Sequence, residues 1–354
     1  GGYIRDFHFD PAGYALGAEY LSKQDELYQR SLHVAKEALA HSGYLDDETA
    51  RKNCGLVLGN LSFPTGSSHK LLSRIYSNTL EQSVRKLLGN SEITIPGHVK
   101  EMPENQVLDH TPSELVAKAL TLGKTHYALD AACATSLYAI KLACDELQTG
   151  KADLMLAGAV CGSDQLFIHM GFSIFHAYAP MGQKFVPLDK NSAGLVSAEG
   201  AGIVVMKRLE DAERDGDKIL GVIGVIGLSN DGRGKFLLSP NPKGQKLAFQ
   251  RAYDFEEIFP KDTTYLECHA TGTPLGDVTE MNSIADFFQK HQTQPALGSV
   301  KSNMGHLLTA AGMSGLLKVL LAMEKEVIPP NINLADAVEA DNGWLTKEQM
   351  ILQA

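Results

Sequence analysis

Residues 127–147 read YALDAACATSLYAIKLACDEL, and their pattern is the clearest indication of the fold. Residues 127–130 have the apolar content of a short buried strand, whereas the apolar residues after Ala134 recur at helical spacing. Gly150 follows the last apolar position, and a glycine at such a position commonly ends a helix. The pattern therefore predicts that Cys133 lies at the turn between a strand and the N-terminus of a helix.

Two interpretations of Cys133 stay open on this stretch alone. The backbone N–H groups and the positive dipole end of a helix N-terminus lower the pKa of a nearby thiol and favour the reactive thiolate. A cysteine in an apolar segment is otherwise most often a buried and unreactive side chain. The rest of the chain has to decide between a nucleophile and an inert thiol.

The composition is typical of a globular protein. The chain has 354 residues, of which 44% are hydrophobic and 21% charged, and this length is sufficient for one or two domains. A net charge of -10 argues against a nucleic-acid partner. We also expect neither a secretory signal nor a membrane span, because no basic segment followed by an apolar one opens the chain and the apolar stretch 219–228 is short and contains three glycines.

The five cysteines argue against a disulfide framework and against a structural zinc site. They are odd in number, scattered along the chain and never form a CxxC pair. A reducing, cytoplasmic location is the simplest interpretation of free cysteines, and we expect no bound metal.

The hydrophobic pattern predicts an α/β fold in two parts. Strand, helix and strand in this order imply a parallel sheet that is covered by helices on both faces. A charged, helix-like connection near residues 209–217 separates a first half, residues 1–208, from a second half, residues 209–354. Strands are predicted at 54–59, 154–160, 203–206, 219–228, 265–268 and 296–300. Helices are predicted at 25–43, after Cys133, and at 71–76, 84–88, 247–253 and 312–323, with a loop at 96–105.

Two of the 12 histidines stand out by their neighbours. His269 lies at the end of a predicted strand in CHATGTPLGD, residues 268–277, and His306 closes KSNMGH, residues 301–306, just before a long apolar helix. Catalytic and ligand-binding groups in α/β proteins are commonly found where strands end. A cysteine nucleophile with histidines gathered in space is a general arrangement for acyl transfer, although each histidine alone also fits a hydrogen-bonded structural role.

Other motifs that carry chemistry are absent. The chain has no GxGxxG, no GxxxxGK[ST], no HExxH and no GxSxG pattern. The glycines within 221–234 and 312–315 fit turns and close packing better than a phosphate-binding loop. Dinucleotide binding, nucleotide triphosphate binding and metalloprotease chemistry are therefore not indicated.

Three blocks of the chain resemble the signature blocks of β-ketoacyl synthases of the thiolase superfamily. They are DAACATS at 130–136, HATGTPLGD at 269–277 and KSNMGH at 301–306. The stretches GQKFVPLD at 182–189 and EGAG at 199–202 also resemble that family. The resemblance keeps the order and approximate spacing of these blocks over nearly the whole chain. Within that family, the chain most resembles the ketosynthase of a multidomain polyketide or polyunsaturated-fatty-acid synthase.

The resemblance implies a thiolase-like fold of five layers, α-β-α-β-α, built from two similar halves. The chain departs from the family in three places. It reads Cys-Ala-Thr-Ser where Cys-Ser-Ser-Ser is more usual, it begins after the family's first strand, and it ends before the Gly-Phe-Gly-Gly-Thr-Asn stretch that supplies a second oxyanion-hole N–H. The expectation is therefore a domain trimmed at both termini.

The resemblance also implies a decarboxylative Claisen condensation. Cys133 would accept an acyl group from an acyl carrier protein, and a malonyl carrier-protein thioester would lose carbon dioxide to give the attacking enolate. His269 and His306 would stabilise the negative charge on the thioester oxygen, and His306 would have a second role as a base. Lys301 would orient the site.

The remaining residues of the family blocks are assigned supporting roles by the same resemblance. Thr271 and Thr273 would bind the phosphopantetheine arm, whereas Asp277 and Glu199 would be structural charges that pair inside the fold. No cofactor is expected in the domain itself, because its substrates travel on the phosphopantetheine of an acyl carrier protein. That carrier protein and a second ketosynthase-like subunit, in a homodimer or heterodimer, are the expected partners.

Two alternatives remain open. One is a non-elongating acyltransferase on the same fold, which would transfer acyl groups without releasing carbon dioxide. The other is a non-catalytic partner that resembles a chain-length factor and only shapes the pocket of a heterodimer. Retention of the cysteine and both histidines argues against the second alternative.

Overall fold

The computed structural model describes residues 1–61, 77, 79–93, 111–162, 166–234, 239–254 and 258–352. These residues form one sheet of four strands and one sheet of two strands, with helices packed against both. The helix predicted at 71–76 and the loop predicted at 96–105 lie outside the described residues. Residues 79–88 are helical, which confirms the helix predicted at 84–88.

The larger sheet contains the strands β1, Cys54–Asn60; β2, His126–Leu129; β3, Leu154–Cys161; and β4, Gly200–Met206. Their order across the sheet is β2-β1-β3-β4. β1 pairs in parallel with both β2 and β3, and every residue of β1 and β3 is buried. Continuous apolar strands of this kind are expected where helices cover both faces of a parallel sheet.

The predicted parallel sheet is confirmed for β1, β2 and β3, whereas β4 runs antiparallel to β3. An apolar run reads the same in either direction, so the sequence pattern did not distinguish the two. Small residues make the close pairing possible, because a Cβ atom added to Gly158 would lie only 2.0 Å from the carbonyl oxygen of Gly202.

The labelled helices are α1, Ala18–Ser22; α2, Glu26–His41; α3, Glu48–Lys52; α4, Thr111–Leu120; α5, Thr135–Gln148; α6, Leu166–Ile174; α7, Leu209–Asp215; α8, Pro242–Tyr253; α9, Pro274–Phe288; α10, Lys301–Met304; and α11, Ala311–Lys325. The predicted helix at 25–43 is confirmed as α2. It begins after Asp25, whose carboxylate accepts a hydrogen bond from the N–H of Leu27 as an N-cap.

The alternation of β1 side chains explains why helices cover both faces of the larger sheet. Leu56 and Leu58 join one apolar cluster with residues of α2 and α4. Val57, which points to the opposite face, joins a second cluster with residues of α5 and with Met313 of α11. Burying an aliphatic side chain of this size contributes roughly 1.5–3 kcal/mol, so the first cluster holds α2 and α4 against the sheet, and the second holds α5 and α11 against it.

The smaller sheet contains β5, Tyr265–Glu267, and β6, Ala296–Gly298, paired in parallel. Helix α9 follows β5, and its Phe287 stacks on Phe249 of α8 with ring centroids 5.3 Å apart. The strands predicted at 265–268 and 296–300 are confirmed, each with fewer residues than expected. Both end directly before a segment that carries one of the two selected histidines.

The strand predicted at 219–228 is wrong, because these residues form no ladder with any described strand. Val222 is 62% exposed, and Ile219 and Ile223 are also exposed. The interspersed glycines weaken a strand, and an apolar stretch becomes a strand only where a partner accepts its hydrogen bonds.

Helix α7 occupies the charged connection between the two predicted halves and ends at Gly216, whose φ of 72° is in the left-handed region that favours glycine. Beside it, Lys207 Nζ lies 2.8 Å from a carboxylate oxygen of Asp217, and the hydroxyl of Tyr44 donates to the same carboxylate. The division at residues 208 and 209 stays a prediction.

Candidate active site

Cys133 lies in a short 3-10 helix between β2 and α5, at the predicted turn. Asp130 Oδ1 accepts a hydrogen bond from the N–H of Ala132 at 2.8 Å. The hydroxyl of Thr135 accepts from the N–H of Ala131 at 2.8 Å and donates to the carbonyl of Ala132 at 2.6 Å. These bonds hold Ala132 at a φ of 51°, which is uncommon for a residue with a side chain, and they turn the chain sharply.

The N-terminal turns of α5 and α11 contact each other beside Cys133. The hydroxyl of Ser136 accepts a hydrogen bond from the N–H of Met313 at 2.9 Å. A Cβ atom added to Gly312 would lie 2.7 Å from Leu137 Cγ and 2.8 Å from Ser136 Oγ. Glycine at this position therefore allows the two helices to approach closely.

His269 follows β5, and helix α9 holds its backbone. The carboxylate of Glu280 accepts hydrogen bonds from the N–H groups of His269 and Ala270, each at 2.6 Å. Both oxygens of this carboxylate are used, so the loop that carries His269 is fixed to a regular helix.

Asp277 of α9 fixes the continuation of the same loop. Its carboxylate accepts hydrogen bonds from the N–H groups of Leu188 at 2.7 Å and Gly272 at 3.1 Å. Burial raises the pKa of Asp277 to about 7, against the opposing effect of these hydrogen bonds. The predicted structural role of Asp277 thus corresponds, in the structure, to pairing with backbone N–H groups.

His306 follows α10, and its backbone pairs with the segment before β4. Its N–H donates to the carbonyl of Val196 at 2.8 Å, and its carbonyl accepts from the N–H of Ala198 at 2.9 Å. The ring nitrogen Nδ1 accepts a hydrogen bond from the backbone N–H of Leu308 at 2.8 Å. A neutral imidazole that accepts at Nδ1 carries its proton on Nε2, so His306 presents an N–H donor there.

The fold gathers the three predicted groups into one site. The sulfur of Cys133 and one ring nitrogen from each of His269 and His306 all lie within 4.8 Å of one another. The two imidazole centroids are 5.5 Å apart, with the rings almost perpendicular. Cys133 is half-buried and His306 is buried, whereas part of His269 is open to water.

Both imidazoles are neutral near pH 7. Although water reaches part of the ring, the surrounding protein and the positive charge of Lys301 lower the pKa of His269 to about 3. Burial lowers the pKa of His306 well below its ordinary value, and His269 and Lys301 lower it further. Neutral rings can each donate one N–H without the desolvation cost of a buried charge.

The thiol of Cys133 does not have the depressed pKa that its place before a helix predicts. Burial raises its pKa, the nearby charge of Asp130 adds to the rise, and Lys301 with a backbone N–H only partly opposes it. That expectation is wrong because a helix N-terminus stabilises a thiolate only where the surroundings do not desolvate it more strongly.

Lys301 lies at the start of α10 and is only 3% exposed. Its charge acts on Cys133 and on both histidines. Burial lowers the pKa of Lys301 itself, while Glu280 and Glu267 raise it. The net effect is a lowered pKa for Lys301, and the orienting role that the family resemblance implies for it stays a prediction.

The remaining predicted residues lie on the loop after His269 or outside the site. The hydroxyls of Thr271 and Thr273 are 2.9 Å apart on that loop. Glu199 pairs instead with Arg30 of α2 at 3.1 Å, and both side chains are only 7% exposed. A structural pairing was predicted for Glu199, and it ties α2 to the start of β4.

Glu267, Glu280 and Lys318 were not predicted from the sequence. Glu280 faces the loop one helical turn after Asp277, and Glu267 is a charged residue within a strand. Lys318 lies inside the apolar part of α11. A charge inside an apolar element is the signal that would have revealed Glu267 and Lys318, since such a charge needs a partner.

The sulfur and ring nitrogens of the site are atom types that zinc accepts. The positive charge of Lys301 beside them opposes a cation, however, and the expectation that the site holds no metal stays a prediction. Among the described helices, none has the length and apolar character that a membrane span requires.

Comparison with known proteins identifies relatives that match most of the chain. The family model "Beta-ketoacyl synthase, N-terminal domain" matches residues 1–212, and "Beta-ketoacyl synthase, C-terminal domain" matches residues 220–335. A polyunsaturated fatty acid synthase polypeptide of Thraustochytrium sp. is 39% identical over 327 residues, which are 90% of this chain and 15% of that polypeptide. The chain thus spans a small part of this relative.

Two solved structures resemble the chain over nearly its full length. The PfaC keto synthase-chain length factor matches with a TM-score of 0.90 and 49% identity over 100% of this chain and 38% of its own. The ketosynthase from module 6 of the bacillaene synthase of Bacillus subtilis 168 matches with a TM-score of 0.77 and 28% identity over 98% of this chain and 55% of its own. The predicted thiolase-like α/β fold is therefore confirmed.

Proposed function

The chain belongs to the β-ketoacyl synthase family, and on this premise we propose that it catalyses a decarboxylative Claisen condensation. An acyl group on Cys133 would be joined to the two-carbon unit of a malonyl carrier-protein thioester. The observation that carries the proposal is the convergence of the Cys133 thiol with two neutral imidazoles within 4.8 Å. Fatty-acid or polyketide assembly is the setting that the relatives support.

In the first step, Cys133 Sγ attacks the carbonyl carbon of an acyl thioester and the pantetheine sulfur leaves. The thiol proton ends on the departing pantetheine sulfur, so thioester exchange is neutral overall. Because burial raises the pKa of Cys133, this proton must leave as the new bond forms. The charge of Lys301 stabilises the sulfur while it is negative.

In the second step, a malonyl thioester loses carbon dioxide and its thioester oxygen becomes negative. His306 would donate its Nε2–H to this oxygen, since the N–H of Leu308 occupies Nδ1 and leaves the proton on Nε2. A second donor from His269 would complete the oxyanion site, because two N–H groups in a desolvated pocket stabilise such charge most strongly. The lone pair on Nδ1 of His306 is engaged, which argues against the base role that the family resemblance implied.

In the third step, the enolate carbon attacks the acyl-cysteine carbonyl, and Cys133 leaves as a thiolate. Lys301 stabilises the leaving sulfur by its positive charge. Thr271 and Thr273 lie on the loop after His269 and would bind the phosphopantetheine arm of the carrier protein. We include an acyl carrier protein and a second ketosynthase-like subunit among the proposed partners.

A second function is suggested by the likeness to the PfaC keto synthase-chain length factor. A chain that only shapes a partner's pocket would need neither a thiol nor two imidazoles at one point. The convergence of all three groups therefore favours the catalytic role. An acyltransferase that does not elongate would share the first step and release no carbon dioxide.

The first prediction concerns acyl attachment. After incubation with acyl carrier protein thioester, the unmodified chain should gain one acyl mass, and Cys133→Ala should gain none, as measured by intact-protein mass spectrometry. Cys144→Ala is a matched control, because Cys144 lies further along α5 and should not affect loading. Acyl attachment to Cys133→Ala would refute the assignment of the nucleophile. A second measurement, the release of carbon dioxide from malonyl carrier protein, distinguishes condensation from acyl transfer without elongation.

A further inference from the structure

A buried polar cluster lies directly behind the site, and none of its members has a role in the proposed reaction. Lys318 Nζ is 2.8 Å from Glu267 Oε2 and 2.8 Å from the hydroxyl of Tyr265. That hydroxyl donates to the same carboxylate oxygen at 2.7 Å. The side chains of Lys318 and Glu267 are only 5% and 12% exposed. We call Tyr265, Glu267 and Lys318 the rear cluster.

Both oxygens of the Glu267 carboxylate have hydrogen-bond partners. Oxygen Oε2 binds Lys318 and Tyr265, while Oε1 accepts the backbone N–H of Val300 at 2.5 Å. Val300 immediately precedes Lys301, so the carboxylate fixes the backbone from which the site lysine extends. A buried carboxylate is tolerated only when it is satisfied in this way.

Two glycines provide the space for the rear cluster. A Cβ atom added to Gly298 would lie 2.2 Å from the hydroxyl oxygen of Tyr265 and 3.1 Å from Lys318 Nζ. A Cβ atom added to Gly315 would lie 3.0 Å from Glu267 Cγ. The cluster is thus a built feature that three elements share, namely β5, the end of β6 and α11.

Lys301 is surrounded by acidic residues that are engaged elsewhere. Glu280 accepts the two backbone N–H groups of the His269 loop, and Glu267 is held in the rear cluster. Within the part of the chain that the structure describes, no carboxylate lies within ion-pair distance of Lys301. Its ammonium group therefore remains available to Cys133 and the two histidines.

We propose that the rear cluster is a positioning unit in which Lys318 holds the Glu267 carboxylate away from Lys301, so that the charge of Lys301 acts on Cys133. If Lys318 were neutral, the freed carboxylate would be drawn towards Lys301, with which Glu267 already interacts electrostatically. The resulting ion pair would neutralise Lys301 and draw it from the site. Lys318 thus acts on the nucleophile through two other residues.

The test measures the rate at which iodoacetamide alkylates Cys133 as a function of pH, by mass spectrometry of the peptide that contains it. The groups whose charge acts on this thiol are Lys301 and Asp130. Lys318→Met should move the midpoint of the profile to higher pH by about one unit, which slows alkylation roughly tenfold below the midpoint. Glu267→Gln removes the carboxylate that Lys318 holds, so it should not move the midpoint upward.

Two further variants separate this proposal from a merely structural role. In Glu267→Gln combined with Lys318→Met, no freed carboxylate remains, so the midpoint should return to that of the unmodified chain. Lys246→Met, which breaks the exposed ion pair with Asp286, is the control and should leave it unchanged. Loss of packing alone would shift both single variants alike.

An unchanged midpoint in Lys318→Met, or an equal upward shift in Glu267→Gln, would overturn the proposal. If Lys318→Met does not fold, Tyr265→Phe removes one bond from the carboxylate and should give a smaller upward shift, and no shift in that variant counts against the proposal. The inference rests on the proposed role of Cys133, but alkylation needs no acyl substrate. Failure here with normal acyl loading would therefore leave the proposed function intact.

Discussion

For single residues, the chemistry depends on which ring nitrogen of His306 is protonated and on whether the thiol of Cys133 keeps its proton. His306 donates from Nε2 because the backbone N–H of Leu308 occupies Nδ1. Cys133 keeps its proton more tightly than a free thiol because it is desolvated. Neither property can be read from the sequence, since the partner of a ring nitrogen and the desolvation of a thiol are set by the folded surroundings. The identity of the three groups, by contrast, could be inferred from their motifs.

The donor role of His306 gives a prediction about side-chain replacement. His306→Gln places an amide N–H near the position of Nε2 and should retain a substantial part of the decarboxylation rate. His306→Ala removes the donor and should lower the rate roughly a hundredfold or more. Carbon dioxide release from malonyl carrier protein is the measurement. Equal losses in the two variants would show that a hydrogen-bond donor is not what His306 contributes.

At the scale of elements, the site depends on where regular structures end. The strands that carry chemistry, β2 and β5, and the helices α5 and α11 could be predicted from apolar periodicity together with glycine positions. The failed strand at 219–228 has a comparable apolar pattern, but no described strand pairs with it. Periodicity reports which residues seek burial, whereas pairing depends on a partner far away in sequence.

The close contact between α5 and α11 gives a prediction at this scale. Gly312→Ala would force Leu137 and Ser136 away and should destabilise the fold by about 1–3 kcal/mol, because well-packed contacts tolerate extra atoms poorly. Acyl loading of Cys133 should slow as the α5 turn shifts. Thermal unfolding and mass spectrometry measure the two effects.

Gly171→Ala is the matched control for this change, because Gly171 also lies in a helix but, among the described residues beyond its chain neighbours and its own helix backbone, no atom is within 4 Å of the added Cβ position. It should leave stability unchanged or raise it by roughly 0.5–1 kcal/mol. If both substitutions behaved alike, the packing explanation for Gly312 would have to be abandoned.

At the scale of the whole molecule, buried charged residues join segments that are distant in the sequence. Asp277 joins α9 to the segment around Leu188 and to the loop after His269. Arg30 and Glu199 join α2 to the segment before β4. The sequence motifs pointed to Asp277 and Glu199 as structural, but only the folded chain reveals their partners, which lie far away in the sequence.

Asp277 gives a prediction about the pH dependence of folding. Its folded-state pKa of about 7 lies above the ordinary value of 3.8, so the folded chain binds this proton more tightly than the unfolded chain. The contribution of Asp277 to the free energy of unfolding should therefore fall as the pH rises from about 4 to about 7. Above that range the loss of stability that comes from burying the ionised carboxylate should be complete. Each unit of pKa shift corresponds to about 1.4 kcal/mol.

Urea unfolding at several pH values, compared between the unmodified chain and Asp277→Asn, measures this contribution. The variant loses a backbone hydrogen bond and should be less stable at low pH, but the difference between the two should narrow as the pH rises. A difference that stays constant or widens between pH 4 and pH 7 would contradict the raised pKa.

The gathering of Cys133, His269 and His306 from distant parts of the chain has a consequence for how the protein acquires activity. Contacts between residues so far apart in sequence form late, because the entropy cost of closing a long loop comes before the contacts can stabilise the chain. The turn that holds Cys133 is stabilised by hydrogen bonds among residues 130–135 and can form early. In a nascent chain the turn that holds Cys133 would thus be folded before either histidine lies beside it. Catalytic activity would arise only when the segments that contain both histidines have packed against this turn.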